Sequence, residues 1–221
     1  LAEIDPEEFT DFATIRPHVR LKDGGVRNIV WPTVCLWHVA DAVGDIILVL
    51  GPEPSLKWRT FSEQLMGVAD HFGASMMLTL GALLADVPHS RPVQIIGTAT
   101  DDDLIDRFEL QRSRYEGPTG IVGVLHDSCY TAAMPSAALW AAVPAYASQV
   151  PSPKASLSLM RRACEIIGTP APVASVMNLI ERYEEQVNSL VSDDEDLAAY
   201  VERLETMSDN GMSLDDEVDD G

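Results

Sequence analysis

Two side chains in the segment DVPHSRP are suited to binding an anion. His89 and Arg91 lie between Pro88 and Pro92. Because proline fixes φ and restricts the residue before it, this loop is expected to be rigid. A rigidly held imidazole and guanidinium suit a carboxylate or a phosphate. The alternative is that the same two side chains only anchor the loop through hydrogen bonds.

Further polar residues lie where α/β sheets bind their ligands, beyond the carboxyl ends of the strands. Glu53 and Trp58 follow one predicted strand, and Asp101 follows another. Arg114 and Glu116 precede a predicted helix whose first amides could hold an anion. Each also has a structural interpretation: the prolines of GPEP fix a turn, Glu53 favours the positive end of a helix, and Asp101 begins one.

No local motif defines a reaction. The sequence lacks GxxxxGK[ST], GxGxxG, GxSxG and HExxH, and its other histidines are isolated. Cys35, Cys129 and Cys164 are far apart and odd in number, which argues against a disulfide framework and against CxxC chemistry. The sequence therefore predicts no metal and no cofactor.

Strands and helices that could position these residues alternate along the chain. DIILVL is a continuous apolar run, which predicts a strand covered on both faces, as in parallel sheets. A helix follows it, with Ser55 as cap and Gly73 as end, and further short helices start at Thr100 and near Pro118. This alternation predicts a three-layer α/β/α sandwich with a mostly parallel sheet. The predicted strands cover 45–50, 75–81, 93–99 and 136–144.

From Ser152 onwards the apolar period is helical. The first helix has Ser152 as cap and Gly168 as end, and 172–192 and 193–207 read as a helical hairpin. We therefore predict three regions along the chain. They are an α/β/α domain over 1–168, a C-terminal helical extension over 169–207 and an acidic flexible tail over 208–221.

Composition limits the partners. The chain carries 15 lysines and arginines against 35 aspartates and glutamates, a net charge of −20, and shows no basic face for nucleic acid. Its apolar runs fall short of the ~20 residues that cross a bilayer, and the acidic N-terminus is unlike a signal peptide. We expect a cytoplasmic protein that binds neither nucleic acid nor membrane. The acidic tail is either only solvated or a binding segment for a basic partner.

Six sequence blocks follow one another along the chain. They are GPEPSLKW, GALLADVPHSRP, GTATD, RYEGPTGIVGVL, SAALWAAVPAY and PSPKASLSLM. Their order and spacing resemble the proteasome assembly chaperone 2 family, in its actinobacterial branch. The resemblance implies a three-layer α/β/α sandwich similar to purine nucleoside phosphorylases, with a C-terminal helical extension. Family members usually begin with a further strand and a glycine-rich turn, so an N-terminal segment is expected to be missing here.

The resemblance implies a protein-binding or assembly module, with a protein partner or a homo-oligomer. The alternative is a small-molecule enzyme of phosphorylase, hydrolase or ATP-dependent carboxylate–amine ligase type, which binds a small anionic ligand in a strand-end cleft. That alternative requires Glu53, His89, Arg91, Asp101 and Glu116 to converge. The family pattern VPHY is VPAY in this sequence, which argues against a catalytic histidine at position 145.

Overall fold

The computed structural model describes residues 1–22, 25–41, 44–173 and 176–211. By their contacts these residues form two compact units. The first unit contains Leu1–Met77 and Arg114–Ser136. The second contains Leu78–Ser113 and the described residues from Ala137 on. Each unit is described by itself.

The first unit contains five strands and three helices. They are β1 (Ala2–Ile4), α1 (Pro6–Phe9), β2 (His18–Leu21), β3 (Arg27–Val30), β4 (Val34–Asp41), β5 (Gly44–Leu50), α2 (Trp58–His71) and α4 (Ile121–Thr131). Three of the strands form an antiparallel sheet with the order β1-β4-β5. Strands β2 and β3 form a separate two-stranded sheet.

The core of this unit forms where α2 and α4 pack together and against the sheet. Phe9 meets Phe61 edge to face, with ring centroids 5.4 Å apart. Leu36 of β4, Leu65 of α2 and Leu125 of α4 are buried in the same cluster. The helical spacing of 61, 65 and 69 in α2 explains why this face of the helix is buried.

The second unit contains a four-stranded sheet with the order β6-β9-β7-β8. Strand β9 lies inside this sheet and is alanine-rich and almost wholly buried, as its apolar run predicts. The elements are β6 (Met77–Ala85), β7 (Ile95–Ala99), α3 (Asp102–Phe108), β8 (Gln111–Arg112), β9 (Ser136–Pro144), a 3-10 turn (Ala145–Ala147), α5 (Pro153–Ile167), α6 (Met177–Ser192) and α7 (Glu195–Asp209).

The predicted α/β class is confirmed, but the prediction of a mostly parallel sheet is wrong. Strand β7 pairs with β8 in parallel and with β9 antiparallel, so this sheet is mixed. The three-stranded sheet is antiparallel throughout. Strands β5 and β6, predicted as one βαβ unit, belong to different sheets. The early strands β1 and β4 supply the neighbours that the apolar pattern alone did not reveal.

Strand β5 is also more exposed than its apolar run predicts. It pairs with β4 on one side and lies at the edge of the three-stranded sheet. Leu48, Val49 and Leu50 are exposed, Leu50 to 70%. A continuous apolar run therefore indicated a strand correctly and its burial wrongly, because burial depends on what packs against the strand.

Helix ends follow local chemistry where a side chain can cap them. Ser152 accepts a hydrogen bond from the Ala155 amide, as predicted, and Asp101, one residue after the predicted start at Thr100, accepts one from the Leu104 amide. Gly168 ends α5 with φ of 86°, which glycine adopts without strain. Ser55 is not the cap of α2, because the helix begins later in the chain and Lys57, with φ of 53° and no capping hydrogen bond from its side chain, holds the cap position.

The buried residues of the C-terminal helices belong to the apolar pattern from which these helices were predicted. Helix α6 begins at Met177, later than the predicted start at Pro172, and α7 extends to Asp209. Tyr183, Val187 and Leu204 are buried. The tail predicted over 208–221 lies outside the described residues from 212 on. No helix in the described parts of the chain is both long and apolar enough to span a bilayer.

Two glycines give a test of this packing. A Cβ at position 81 would lie 2.5 Å from the Trp140 ring, whereas one at position 67 in α2 meets no atom within 4 Å. We expect Gly81→Ala to lower the free energy of unfolding by ~1–3 kcal/mol through overpacking. Gly67→Ala should raise it by ~0.5–1 kcal/mol through helix propensity. Urea denaturation measures both, and a Gly81→Ala variant as stable as the unmodified chain would contradict the packing of Trp140 against Gly81.

Candidate functional site

The segment Asp86–Pro92, called here the His89 loop, connects β6 to β7 within the second unit. His89 is 4% exposed, which is unusual for a residue in a connecting loop. Strand β6 ends at Ala85 directly before the loop. The site that the sequence singled out is therefore a buried polar centre.

Both ring nitrogens of His89 are hydrogen-bonded. Nε2 lies 2.9 Å from Oδ1 of Asn188, and Nδ1 lies 2.8 Å from the Tyr146 hydroxyl. An amide oxygen only accepts, so Nε2 carries a proton, and in the neutral ring Nδ1 accepts from Tyr146. The His89 amide also donates to the same hydroxyl at 2.8 Å. The side chain thus joins the turn after β9 to helix α6.

Tyr146 is held in its protonated form. Burial is the largest cause that raises its pKa to about 12. The hydroxyl therefore keeps its proton at neutral pH and can donate it in a hydrogen bond. Its ring also meets the rings of His89 and Tyr200 edge to face, with centroids 5.9 and 6.2 Å away.

Lys154 fixes the loop from another side. Its ammonium donates to the His89 carbonyl at 2.8 Å and to Oε1 of Glu184 at 2.7 Å. Lys154 stands at the start of α5 and Glu184 belongs to α6. The buried loop carbonyl thus receives a charged donor whose own charge is balanced by α6.

The outer part of the loop binds helix α7. Arg91 donates from Nε and Nη2 to the two carboxylate oxygens of Asp209, both at 2.7 Å, a bidentate pair. Ser90 donates to Glu205, and Tyr200 donates to Asp86 at 2.6 Å. The hydrogen bond from Arg91 lowers the pKa of Asp209. The polar residues of the loop are therefore used to hold the helical hairpin α6–α7.

A cavity of about 360 Å³ opens beside this loop. His89, Arg91 and Lys154 line it together with Tyr183 and Leu204 from the hairpin. The cations at its wall already have partners, since Arg91 pairs with Asp209 and Lys154 with Glu184. An anion in this cavity would have to compete with the protein's own carboxylates.

Glu53 serves the start of α4 in the first unit. Its Oε1 accepts from the Ile121 amide at 2.7 Å, although the two residues are far apart in sequence. A Cβ at Gly120, the cap residue, would lie 2.7 Å from the same oxygen. The helix N-terminus that was predicted to take an anion thus takes a carboxylate of this chain.

The other predicted site residues have simpler surroundings. The Trp58 indole donates to the Pro54 carbonyl, one turn earlier. Asp101 caps α3. Arg114 and Glu116 are exposed in the segment before α4.

The seven candidates fall in two units. Within the second unit the structure brings His89 and Arg91 to one cavity, and Asp101 stands at the start of α3 instead. The first unit holds the other four, of which Glu53 and Trp58 form the hydrogen bonds given above. Convergence of the whole set on one ligand stays a prediction. Those four are Glu53, Trp58, Arg114 and Glu116.

A second polar pair, of the half-buried His126 and the buried Ser136, escaped the sequence reasoning. His126 Nδ1 lies 2.9 Å from the Ser136 hydroxyl, and burial lowers the pKa of His126. Cys129, one helical turn on, is fully buried among Met66 and Met77, and burial raises its pKa. These groups stabilise the packing of α4. Within the described ranges, no three His, Cys, Asp or Glu side chains are grouped to hold a metal ion.

The partners of His89 also escaped the sequence reasoning. Tyr146 and Asn188 are distant in sequence, and nothing local distinguishes Asn188 from other polar residues of its helix. Tyr146 follows Ala145 in VPAY, so the block that carries the family resemblance contains the residue that holds His89. The position of Tyr146 in that block was the signal from which its contact with His89 could have been suspected.

A loop that buries its histidine and uses its polar groups to hold α6 and α7 within the second unit is typical of a scaffold rather than of a reaction centre. The PAC2 family model matches residues 1–191, and the chain belongs to the PAC2 family. The predicted kinship is therefore confirmed. A search of curated proteins gave no match.

Two solved structures share much of the sequence. A PAC2 family protein from Streptomyces avermitilis is 42% identical, with a TM-score of 0.82. A proteasome-assembly chaperone homologue from Mycobacterium tuberculosis is 39% identical, with a TM-score of 0.79. Each alignment covers 91% of this chain and 86% of the other.

An archaeal proteasome activator from Pyrococcus furiosus is similar in fold alone. It is 15% identical, with a TM-score of 0.61, over 78% of this chain and 76% of that one. This likeness concerns the fold, and the support for an assembly or protein-binding role comes from the family match and from the mycobacterial homologue.

Removal of the Tyr146 hydroxyl tests the buried centre. Tyr146→Phe leaves the His89 amide and Nδ1 without a partner, so the free energy of unfolding should fall by ~1–3 kcal/mol. Tyr130→Phe, at a residue that is 74% exposed, is the matched control. Urea denaturation of both variants measures the difference, and equal curves would contradict the buried role of the hydroxyl.

The Arg91–Asp209 pair predicts an acid-sensitive attachment of α7. Because Arg91 lowers the pKa of Asp209, the pair stabilises the fold at neutral pH. That contribution is lost as the pH falls below about 4, the ordinary range of the carboxyl, and through the lowered pKa.

Asp209→Asn should therefore destabilise the protein at pH 7 and have less effect in acid. Asp106→Asn, which changes an exposed carboxylate of α3, is the control. Urea denaturation at both pH values gives the measurement. An effect of Asp209→Asn that is independent of pH would show that the charge of this pair is unimportant.

Proposed function

We propose that this chain is a protein-binding assembly module that acts as a chaperone for a multi-subunit complex. The observation that carries the proposal is family membership over residues 1–191, together with 39% identity to a mycobacterial proteasome-assembly chaperone homologue. Subunits of a proteasome are therefore the first partner to test. The partner that the module binds is either such a subunit or a second copy of this chain.

The geometry favours protein binding over binding of a small anionic ligand. His89 and Arg91, the residues best suited to an anion, are hydrogen-bonded to α6 and α7. Apolar side chains such as Leu21, Leu48 and Leu50 are exposed instead. Exposed apolar residues that are grouped on strands are typical of surfaces that bind proteins.

The finer features of the fold belong to the same proposal. They are a three-layer sandwich similar to purine nucleoside phosphorylases and a helical extension over 169–207. The likeness to the Streptomyces structure, with a TM-score of 0.82, supports a fold common to the family. A cytoplasmic location is supported by Cys35 and Cys129, which are thiols and not halves of a disulfide.

An assembly reaction tests the proposed function. Purified proteasome α- and β-subunits of the same organism are mixed with and without the chain, and particle formation is followed on native gels. We expect a complex with one subunit type and faster appearance of the assembled particle.

The control for that experiment is an unrelated protein of similar size and net charge, which should leave the time course unchanged. Absence of any complex at about 100 µM, a concentration that detects even weak association, together with an unchanged time course, would overturn the proposal for the proteasome.

A further inference from the structure

Three sulfur atoms meet inside the first unit. The thiol of Cys129 lies 3.5 Å from Sδ of Met77 and 3.8 Å from Sδ of Met66. Met66 belongs to α2 and Cys129 to α4, two helices that pack together, and Met77 ends the first chain segment of the unit. The two thioethers are 63 and 52 residues from the thiol along the chain, so no local sequence motif shows them.

The spacing of these sulfurs suits a shared metal ion. Sulfur donors at about 2.3 Å from one metal lie about 3.8–4.0 Å apart in a tetrahedral or trigonal arrangement. The distance from Cys129 to Met66 already has this value, and the distance from Cys129 to Met77 is slightly shorter. A methionine side chain has three rotatable bonds, so it can make that small adjustment.

The kind of donor selects the metal. One thiolate and two thioethers are soft ligands, which favour copper(I). Zinc takes four ligands, mostly thiolates, imidazoles and carboxylates, and no three such side chains are grouped in the described parts of the chain. Cys129 is fully buried, where an uncompensated charge is costly. A single thiolate with Cu⁺ is neutral overall, so this pair avoids that cost.

The surroundings provide an outer shell and a path for entry. Ser136, which is buried, forms a hydrogen bond with the Cys129 thiol. Its hydroxyl also lies 2.9 Å from Nδ1 of the half-buried His126. Hydrogen bonds to the ligands of a metal orient them and tune the site. Met66 and Met77 are half-buried, so a cation can reach the thiol past their side chains.

We propose that Cys129, Met66 and Met77 form a binding site for copper(I). The ion replaces the thiol proton, so the thiol and Cu⁺ give a copper thiolate and H⁺, and no electron is transferred. The released proton leaves by way of the Ser136 hydroxyl and the His126 ring. Because the ion connects α2 to α4, its binding stabilises the first unit.

A copper titration tests the site in a background that lacks the other two thiols. The variant C35A/C164A keeps Cys129 as its one thiol. It is titrated with Cu⁺ under anaerobic conditions, in competition with the indicator bicinchoninate. We expect one equivalent to bind and the midpoint of thermal unfolding to rise with the concentration of Cu⁺. No partner protein takes part, so this proposal and the assembly function can fail separately.

Leucine variants show whether the thioethers are ligands. M66L/M77L in the same background nearly conserves side-chain volume and should keep the fold. It should bind Cu⁺ at least about tenfold more weakly, a loss that even outer-shell partners of a metal can cause. The matched control M160L replaces a half-buried methionine of α5 and should bind like its background. C129S should lose the site, and the leucine variants decide the question even if that substitution unfolds the chain.

X-ray absorption of the unmodified chain, loaded with one equivalent of Cu⁺, should show three sulfur neighbours of the metal. Circular dichroism and urea denaturation verify that the variants are folded. The proposal is overturned if C35A/C164A binds no Cu⁺, or if M66L/M77L binds as tightly as its background, since the thiol would then act alone. Equally tight binding of Zn²⁺, or fewer than three sulfur neighbours, would overturn it as well.

Discussion

The second unit depends on a buried histidine whose two ring nitrogens are both satisfied. His89 stands between the Tyr146 hydroxyl and the Asn188 amide oxygen, and Lys154 holds its carbonyl. An unpaired polar group in that position would cost more than the net gain of an ordinary hydrogen bond. The loop, the turn after β9 and helix α6 must therefore take up their positions together. The hydrogen bonds therefore account for the conformation of the loop, and no catalytic role is needed to explain it.

Other polar groups of the chain are also paired with one another. Arg91 is paired with Asp209, and Glu53 accepts from the first amide of α4. Anion-binding groups and helix termini, which in an enzyme would await a ligand, are occupied by side chains of this chain. What remains exposed is apolar and charged surface on strands and helices. This is the physical reason to assign the protein to binding and assembly, in agreement with its PAC2 family membership.

Local sequence predicted the elements that have local causes. Helix α5 begins at its serine cap and ends at Gly168, and α3 begins at Asp101, because a capping side chain or a positive φ acts within a few residues. Strand β9 was recognised as buried from its apolar run. The prediction failed where neighbours decide. Strand β5 reads like a parallel core strand but lies at the edge of an antiparallel sheet, because its partners β1 and β4 come from the early part of the chain.

By itself the sequence determined the family, the α/β class, both ends of α5 and the His89 loop as a distinctive feature. Only the tertiary structure decided what that loop does. The partners of DVPHSRP all come from the C-terminal part of the chain; they are Tyr146, Lys154, Asn188, Tyr200, Glu205 and Asp209. Spacing along the chain cannot reveal such contacts, since they depend on where whole helices pack. An imidazole beside a guanidinium is chemically fit for a ligand or for an anchor, and only the position of its hydrogen-bond partners distinguishes the two.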